Sequence, residues 1–261
     1  MKIWSSLATK VSVPRDVTNR QSPKGILVHS TGSGIVESAH TVGADPLEFA
    51  ISFYTNKKNN FAHYLIGHKG EIVQIAADTE KAWQAAWKPW EEQAYKDRTW
   101  VRKWAKDYAD NVVSVDIDFY GHWQNRWWFV NEFRAEALNS PIDLVTIVSG
   151  KTSSPNATYI GIELLDAKPF HKEQYDALAK LTIDLGLRWA IPITGNLPGQ
   201  AFLPNPWLCG HEDLCPARRY KKVKGSLVGV GWDPGEHFNW RTLRERIEYW
   251  SSRDLSEWYL S

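Results

Sequence analysis

Short apolar runs broken by polar, glycine-containing turns set the pattern of this chain. Gly25-Ile26-Leu27-Val28 ends at His29-Ser30-Thr31-Gly32-Ser33-Gly34, which predicts a buried strand running into a polar loop. Ala62 to Gly67 and Glu71 to Ile75 flank Lys69-Gly70, so they read as a hairpin turning there. Between these strands, Asp45 to Asn56 carries Leu47, Phe49, Ile51, Phe53 and Tyr54 and predicts a helix with a polar stretch after it. Tyr159 to Leu165 is nearly continuous in apolar residues apart from Glu163, a buried strand with one carboxylate at its centre. Lys172 to Trp189 places Tyr175, Leu178, Leu181, Ile183 and Leu185 at helical spacing, with Gly186 near its end. A Gly- and Pro-rich loop then leads to Pro206, and Leu243, Ile247 and Trp250 predict a closing helix from Arg241 to Tyr249. Strands separated by helices give an α/β class.

The segment from about 88 to 156 has a different texture, because Trp90, Trp100, Trp104, Trp123, Trp127 and Trp128 crowd into it. It reads as an insertion in one domain spanning 1–261. Trp100, Trp104 and Tyr108 share a helical face, Val113 to Phe119 alternates as a strand, and Gly121-His122 makes a turn into a second strand through Trp127 to Val130. The tryptophans suit first the packing of the insertion onto the main body, and second a surface on which sugars stack.

Composition narrows the function classes. Lys+Arg 31 against Asp+Glu 30 leaves a net charge of +1, which offers no field to gather nucleic acid. No run of residues is long and apolar enough for a membrane span, so a soluble protein is expected. With Cys209 and Cys215 alone, no disulfide framework holds the fold. Met1 to Lys10 lacks the apolar core of a signal peptide, so synthesis in the cytoplasm is expected.

His29, His211 and Asp233 are ligand-type residues in strand-end or loop settings, and two imidazoles with a carboxylate suit a zinc ion that keeps one position open for water. Their spacing matches no short zinc motif, and each alone also reads as a solvated or capping residue. Asp116 and Asp118 read as solvated strand carboxylates.

Several segments, in order, resemble the zinc-dependent N-acetylmuramoyl-L-alanine amidases of type 2, the family of bacteriophage T7 lysozyme and the peptidoglycan recognition proteins. Ile26 to Thr31 resembles the first zinc-histidine strand, Ala62 to Ile66 with Gly70 to Gln74 the central hairpin, and Ile160 to Glu163 the strand of the catalytic glutamate. Gly210 to Pro216 resembles the second zinc-histidine segment, and Asp233-Pro234-Gly235 with Phe238 and Trp240 the third-ligand segment. The resemblance covers about 22–87 and 157–250, and implies a mixed central β-sheet flanked by helices. It implies Zn2+ held by His29, His211 and Asp233, with Glu163 as general base and then general acid. It also places His63, Trp83 and Gln84 at the substrate, a peptidoglycan polymer or soluble muropeptide.

The sequence departs from the family in two places. Gly231 stands where many relatives carry an oxyanion-stabilising lysine, with Lys221, Lys222 and Lys224 in a longer loop between His211 and Asp233. Gln84 replaces a groove histidine, and Cys215 is a second-choice zinc ligand behind Asp233. A monomeric amidase is expected, and the expected lack of a signal peptide fits both a bacteriolytic enzyme reaching its target by phage-type release and a wall-recycling one acting on imported wall fragments. The alternative is a peptidoglycan-binding protein of the same fold that does not cut.

Overall fold

The computed structural model describes residues 2–11, 22–56, 61–85, 155–193, 207–211, 233–235, 237–254 and 258, with the backbone of strand pairs at 120–123 and 126–129 and at 220–223 and 226–229. Its centre is a six-stranded sheet built from β1 (Thr9–Lys10), β2 (Gly25–Ser30), β3 (Tyr64–Ile66), β4 (Ile72–Gln74), β7 (Tyr159–Leu164) and β8 (Leu208–Gly210). The order is β1-β4-β3-β7-β2-β8, with β3 and β4 antiparallel and the other neighbours parallel, so the sheet is mixed. The helices are α1 (Ser33–Thr41), α2 (Pro46–Thr55), the short α3 (Pro155–Thr158), α4 (Lys172–Trp189) and α5 (Trp240–Ser251).

Strand alternation divides the core between the two faces. Ile26 and Val28 of β2, Ile160, Ile162 and Leu164 of β7 and Leu208 of β8 face α4 and α5, whose Leu178, Leu181, Leu185, Leu243 and Ile247 complete one cluster. Leu65, Val73 and Leu165 face the other way, toward Ile35 of α1 and Ala50 and Tyr54 of α2. His29 and Glu163 have the parity of that second face. The sheet order thus places a histidine and a glutamate side by side under α1 and α2.

Local chemistry accounts for the elements. Asp45 caps α2 by accepting from the N–H groups of Leu47 (2.9 Å) and Glu48 (3.1 Å), and Pro46 starts the helix with its φ already set. Gly70 turns the β3–β4 hairpin at φ +83°, and a Cβ there would lie 2.8 Å from the Glu173 carbonyl oxygen. The 18-residue α4 ends in a left-handed cap at Ala190, while Gly186 lies inside the helix, where Ile193 packs closely. Asp176 ties α5 to α4 by accepting from Trp250 Nε1 at 2.8 Å and pairing with Arg246 and Lys172. Asp78, fully buried, collects Tyr64, Gln74, Arg188 and Trp189, so its charge is fully engaged.

Some local expectations are corrected. The polar loop after His29 is shorter than its composition suggests, because α1 begins at Ser33 and buries Ile35 and Ala39, one turn apart. Gly121 and His122 do not form a turn: they lie inside β5 (Tyr120–Trp123), paired with Trp128 and Trp127 of β6 (Arg126–Phe129). Lys221 and Lys222 belong to β9 (Tyr220–Val223), which pairs antiparallel with β10 (Ser226–Gly229), so paired strands stand where a loop was expected. The helical face at Trp100 to Tyr108, the strand at Val113 to Phe119, Cys215, Lys224 and Gly231 lie outside the described residues, as does most of 88–156.

Candidate active site

Register brings the chemistry together. His29 of β2 is the direct partner of Glu163 of β7, and Leu65 of β3 flanks Glu163 on its other side. β8 pairs along β2 up to Val28 and Gly210, so His211 emerges next to His29, their rings 5.0 Å apart. Asp233 arrives from the segment before α5. Its Oδ2 lies 2.9 Å from Nδ1 of His29 and 3.3 Å from Nδ1 of His211, and its Oδ1 accepts the N–H of Ser30 at 2.7 Å.

The donor set fits a zinc ion. One candidate ligand atom from each of His29, His211 and Asp233 lies within 4.8 Å of the others. Ligands about 2.0–2.1 Å from a tetrahedral ion stand about 3.3 Å from one another, the scale of the separations seen here. Burial alone would raise the Asp233 carboxyl, but the charges of His29 and His211 and their hydrogen bonds outweigh it and hold it well below the usual carboxylate range. Asp233 is therefore ionised wherever zinc would bind.

Glu163 has the opposite electrostatic position. Burial, helped by the charge of Asp233, pushes its carboxyl up to about 7, against lowering by His29 and a hydrogen bond from Tyr54. Its Oε2 is buried and has no hydrogen-bond partner among the described residues. The Tyr54 phenol is itself pushed far above its ordinary value by burial and by Glu163 and Asp233, so it stays protonated and acts as a donor. Tyr54 was not legible as a site residue: it sits on the buried side of α2, where an aromatic reads as core.

The residues expected at the substrate are placed differently from one another. His63 is fully buried, its Nδ1 accepts the Gly161 N–H at 3.0 Å, and its Nε2–H accordingly donates to the Glu80 carbonyl at 2.8 Å. Both ring nitrogens of His63 hold backbone in this structure. Gln84 is also buried: its N–H donates to Asn156 Oδ1 and its side-chain amide to the Tyr159 carbonyl, both at 2.9 Å. Its carboxamide fills the space that a Cβ at Gly161 would need, two residues before Glu163 on the same strand face. Trp83 is 43% exposed, with Lys81 Nζ 4.7 Å above its ring. Of the three, Trp83 alone offers an open surface.

Comparison with known proteins adds to this geometry. The family model described as N-acetylmuramoyl-L-alanine amidase, Amidase_2, matches residues 19–236, a span that contains His29, Glu163, His211 and Asp233. The chain belongs to this amidase family. No curated protein matches it. Among solved structures, a selenomethionyl AmpD derivative is 20% identical with a TM-score of 0.44, covering 94% of this chain and 96% of that one. The solution structure of Citrobacter freundii AmpD is 20% identical with a TM-score of 0.41, covering 97% and 96%. Within this amidase, the match begins before β2 and ends just after Asp233, so the long helix α4 lies inside it and α5 beyond it. No helix among the described residues is long and apolar enough to cross a membrane.

Proposed function

We propose that this amidase hydrolyses the amide between N-acetylmuramic acid and L-alanine of peptidoglycan, with zinc held by His29, His211 and Asp233 and with Glu163 as proton carrier. The observation that carries the reading is the convergence of two imidazole Nδ1 atoms on one carboxylate oxygen beside a buried glutamate whose pKa is about 7. Zinc bound there would supply a Lewis acid for the scissile carbonyl and lower the pKa of a water.

The chain's own groups perform the proton work. Glu163 accepts a proton at Oε2 as the water oxygen bonds to the lactyl carbonyl carbon. It then delivers that proton to the alanine nitrogen as the C–N bond breaks, leaving a lactyl carboxylic acid and a free amine; the acid gives up the second proton of the water to the amine, so the products leave as carboxylate and ammonium. A carboxyl poised near neutrality suits both halves, since it is neither too weak a base nor too weak an acid. Tyr54 holds the carboxylate from α2 and, having its proton, does not compete for the one being moved. His63 anchors the Gly161 N–H, two residues before Glu163 on the same strand. The face of Trp83 gives a sugar ring or stem peptide an apolar platform.

A second reading is favoured by Gly231, which stands where many relatives carry lysine. Loss of one oxyanion donor costs ~2.7–4 kcal/mol, or ~100–1,000-fold in rate, so a protein without it could bind wall fragments and cut slowly or not at all. The test is mass spectrometry of purified peptidoglycan and of soluble muropeptides after incubation with the protein, beside an EDTA-treated sample and Glu163→Ala. Stem peptides headed by free L-alanine, abolished in both controls, support the amidase. Zinc binding without any release supports the recognition protein. Faster release from soluble muropeptides than from polymer favours recycling over lysis, and the two proposed settings, imported fragments or phage-type release, separate on that ratio.

A further inference from the structure

Asp233 is held from behind as well as from the front. Its Oδ2 faces the imidazoles, while its Oδ1 accepts the backbone N–H of Ser30 at 2.7 Å. The Ser30 hydroxyl in turn donates to Asp166 Oδ1 at 3.1 Å and accepts the Gly32 N–H at 3.3 Å. Asp166 lies three residues after Glu163, where β7 ends, and its side chain is 13% exposed. Main-chain bonds fix its own backbone: its N–H donates to Thr31 Oγ1 at 3.1 Å, and its carbonyl accepts from His68 Nε2 at 2.9 Å. Those bonds do not need the carboxylate. What the carboxylate adds is the link to Ser30, with Lys168 Nζ at 3.8 Å from its other oxygen.

We propose that Asp166, acting through the hydroxyl of Ser30, is a positioning residue that sets the Ser30 N–H against Asp233 and so aims the Asp233 carboxylate at His29 and His211. The inference rests on the reading of those three residues as zinc ligands. The chain Asp166–Ser30–Asp233 also joins the end of the strand carrying Glu163 to the end of the strand carrying His29. One contact thereby holds the proton carrier and the metal site in register. Hydrogen-bonded partners behind metal ligands typically matter by ~10–100-fold in affinity, because an unaimed carboxylate must be ordered at the moment of binding.

The test is zinc affinity by competition with a chromophoric chelator, with melting temperature in EDTA measured alongside. Asp166→Ala and Ser30→Ala are each expected to weaken zinc binding by ~10–100-fold. Asp166→Asn, which keeps Oδ1 as acceptor, is expected to stay within a few fold of the wild type, which a purely charge-based effect of Asp166 would not allow. The double Ser30→Ala/Asp166→Ala variant is expected to bind no worse than the weaker single, since the two residues act in series. Zinc affinity unchanged in Ser30→Ala and Asp166→Ala, whatever happens to melting temperature, overturns the proposal, as do single effects that simply add. Failure of the wild type to bind zinc overturns the ligand assignment itself, and that result is distinguishable because it is seen before any variant is made.

Discussion

Replacing Glu163 by Gln should separate activity from stability. Its carboxyl rises from an ordinary 4.5 to about 7 in the folded protein, chiefly through burial. At 1.36 kcal/mol per unit, this corresponds to roughly 3 kcal/mol for keeping the ionised form inside the zinc-free protein. The sign follows from proton binding. Below pH 4.5 both folded and unfolded chains hold the proton and there is no penalty; between 4.5 and about 7 only the folded chain does; above about 7 the folded chain carries a buried charge and the full penalty. Glutamine keeps the shape and still accepts from Tyr54, but cannot ionise. Urea denaturation of the zinc-free wild type and Glu163→Gln should give nearly equal stabilities at pH 4.5. At pH 8 the variant should be more stable, by up to about 3 kcal/mol. Its hydrolysis rate should fall by ~100–10,000-fold, the usual worth of a positioned proton carrier. An equal stability difference at both pH values would show that burial does not perturb Glu163, and retained activity would remove it from the proton path.

Three further outcomes follow. Tyr54→Phe removes a hydrogen bond that lowers the Glu163 pKa, so the rising limb of the pH–rate profile should move to higher pH; a limb that stays put would disconnect Tyr54 from Glu163. Stripping zinc with EDTA should lower the melting temperature reversibly, and a thousandfold excess of free zinc over its Kd should restore ~4 kcal/mol, measured by denaturation with and without added zinc. Gly161→Ala drives a methyl into the Gln84 carboxamide and should cost ~1–3 kcal/mol; Gln84→Ala in the same chain should recover part of it, and a merely additive double variant would contradict the packing.

Period and punctuation made much of this fold legible. The β2 run, the β3–β4 hairpin around Gly70, the buried β7 strand and helices α2, α4 and α5 fall where the apolar spacing places them. Helix α1 was obscured because it starts among Gly32, Ser33 and Gly34 and buries only Ile35 and Ala39, too little for a periodic signal. The turn expected at Gly121-His122 failed because both residues pair across to Trp128 and Trp127, so the strand runs on through them to Trp123.

The site divides the same way. His29, His211 and Asp233 were visible as residue types in strand-end or loop settings, and the fold brings them within reach of one another. Their common meeting point depends on β8 pairing with β2, which no local pattern encodes. Tyr54 was hidden because it occupies an apolar helix face and acquires its chemistry only by lying over Glu163. For His63 the sequence shows an imidazole near the site but not its bonds to the Gly161 N–H and the Glu80 carbonyl.

The most direct test of the central claim is hydrolysis of a defined N-acetylmuramoyl-peptide in oxygen-18 water, with zinc supplied and the products read by mass spectrometry. The account predicts one heavy oxygen in the lactyl carboxylate of the muramic acid product and an unlabelled peptide beginning with free L-alanine. Label in a peptide carboxylate, or intact substrate with zinc bound, would contradict it.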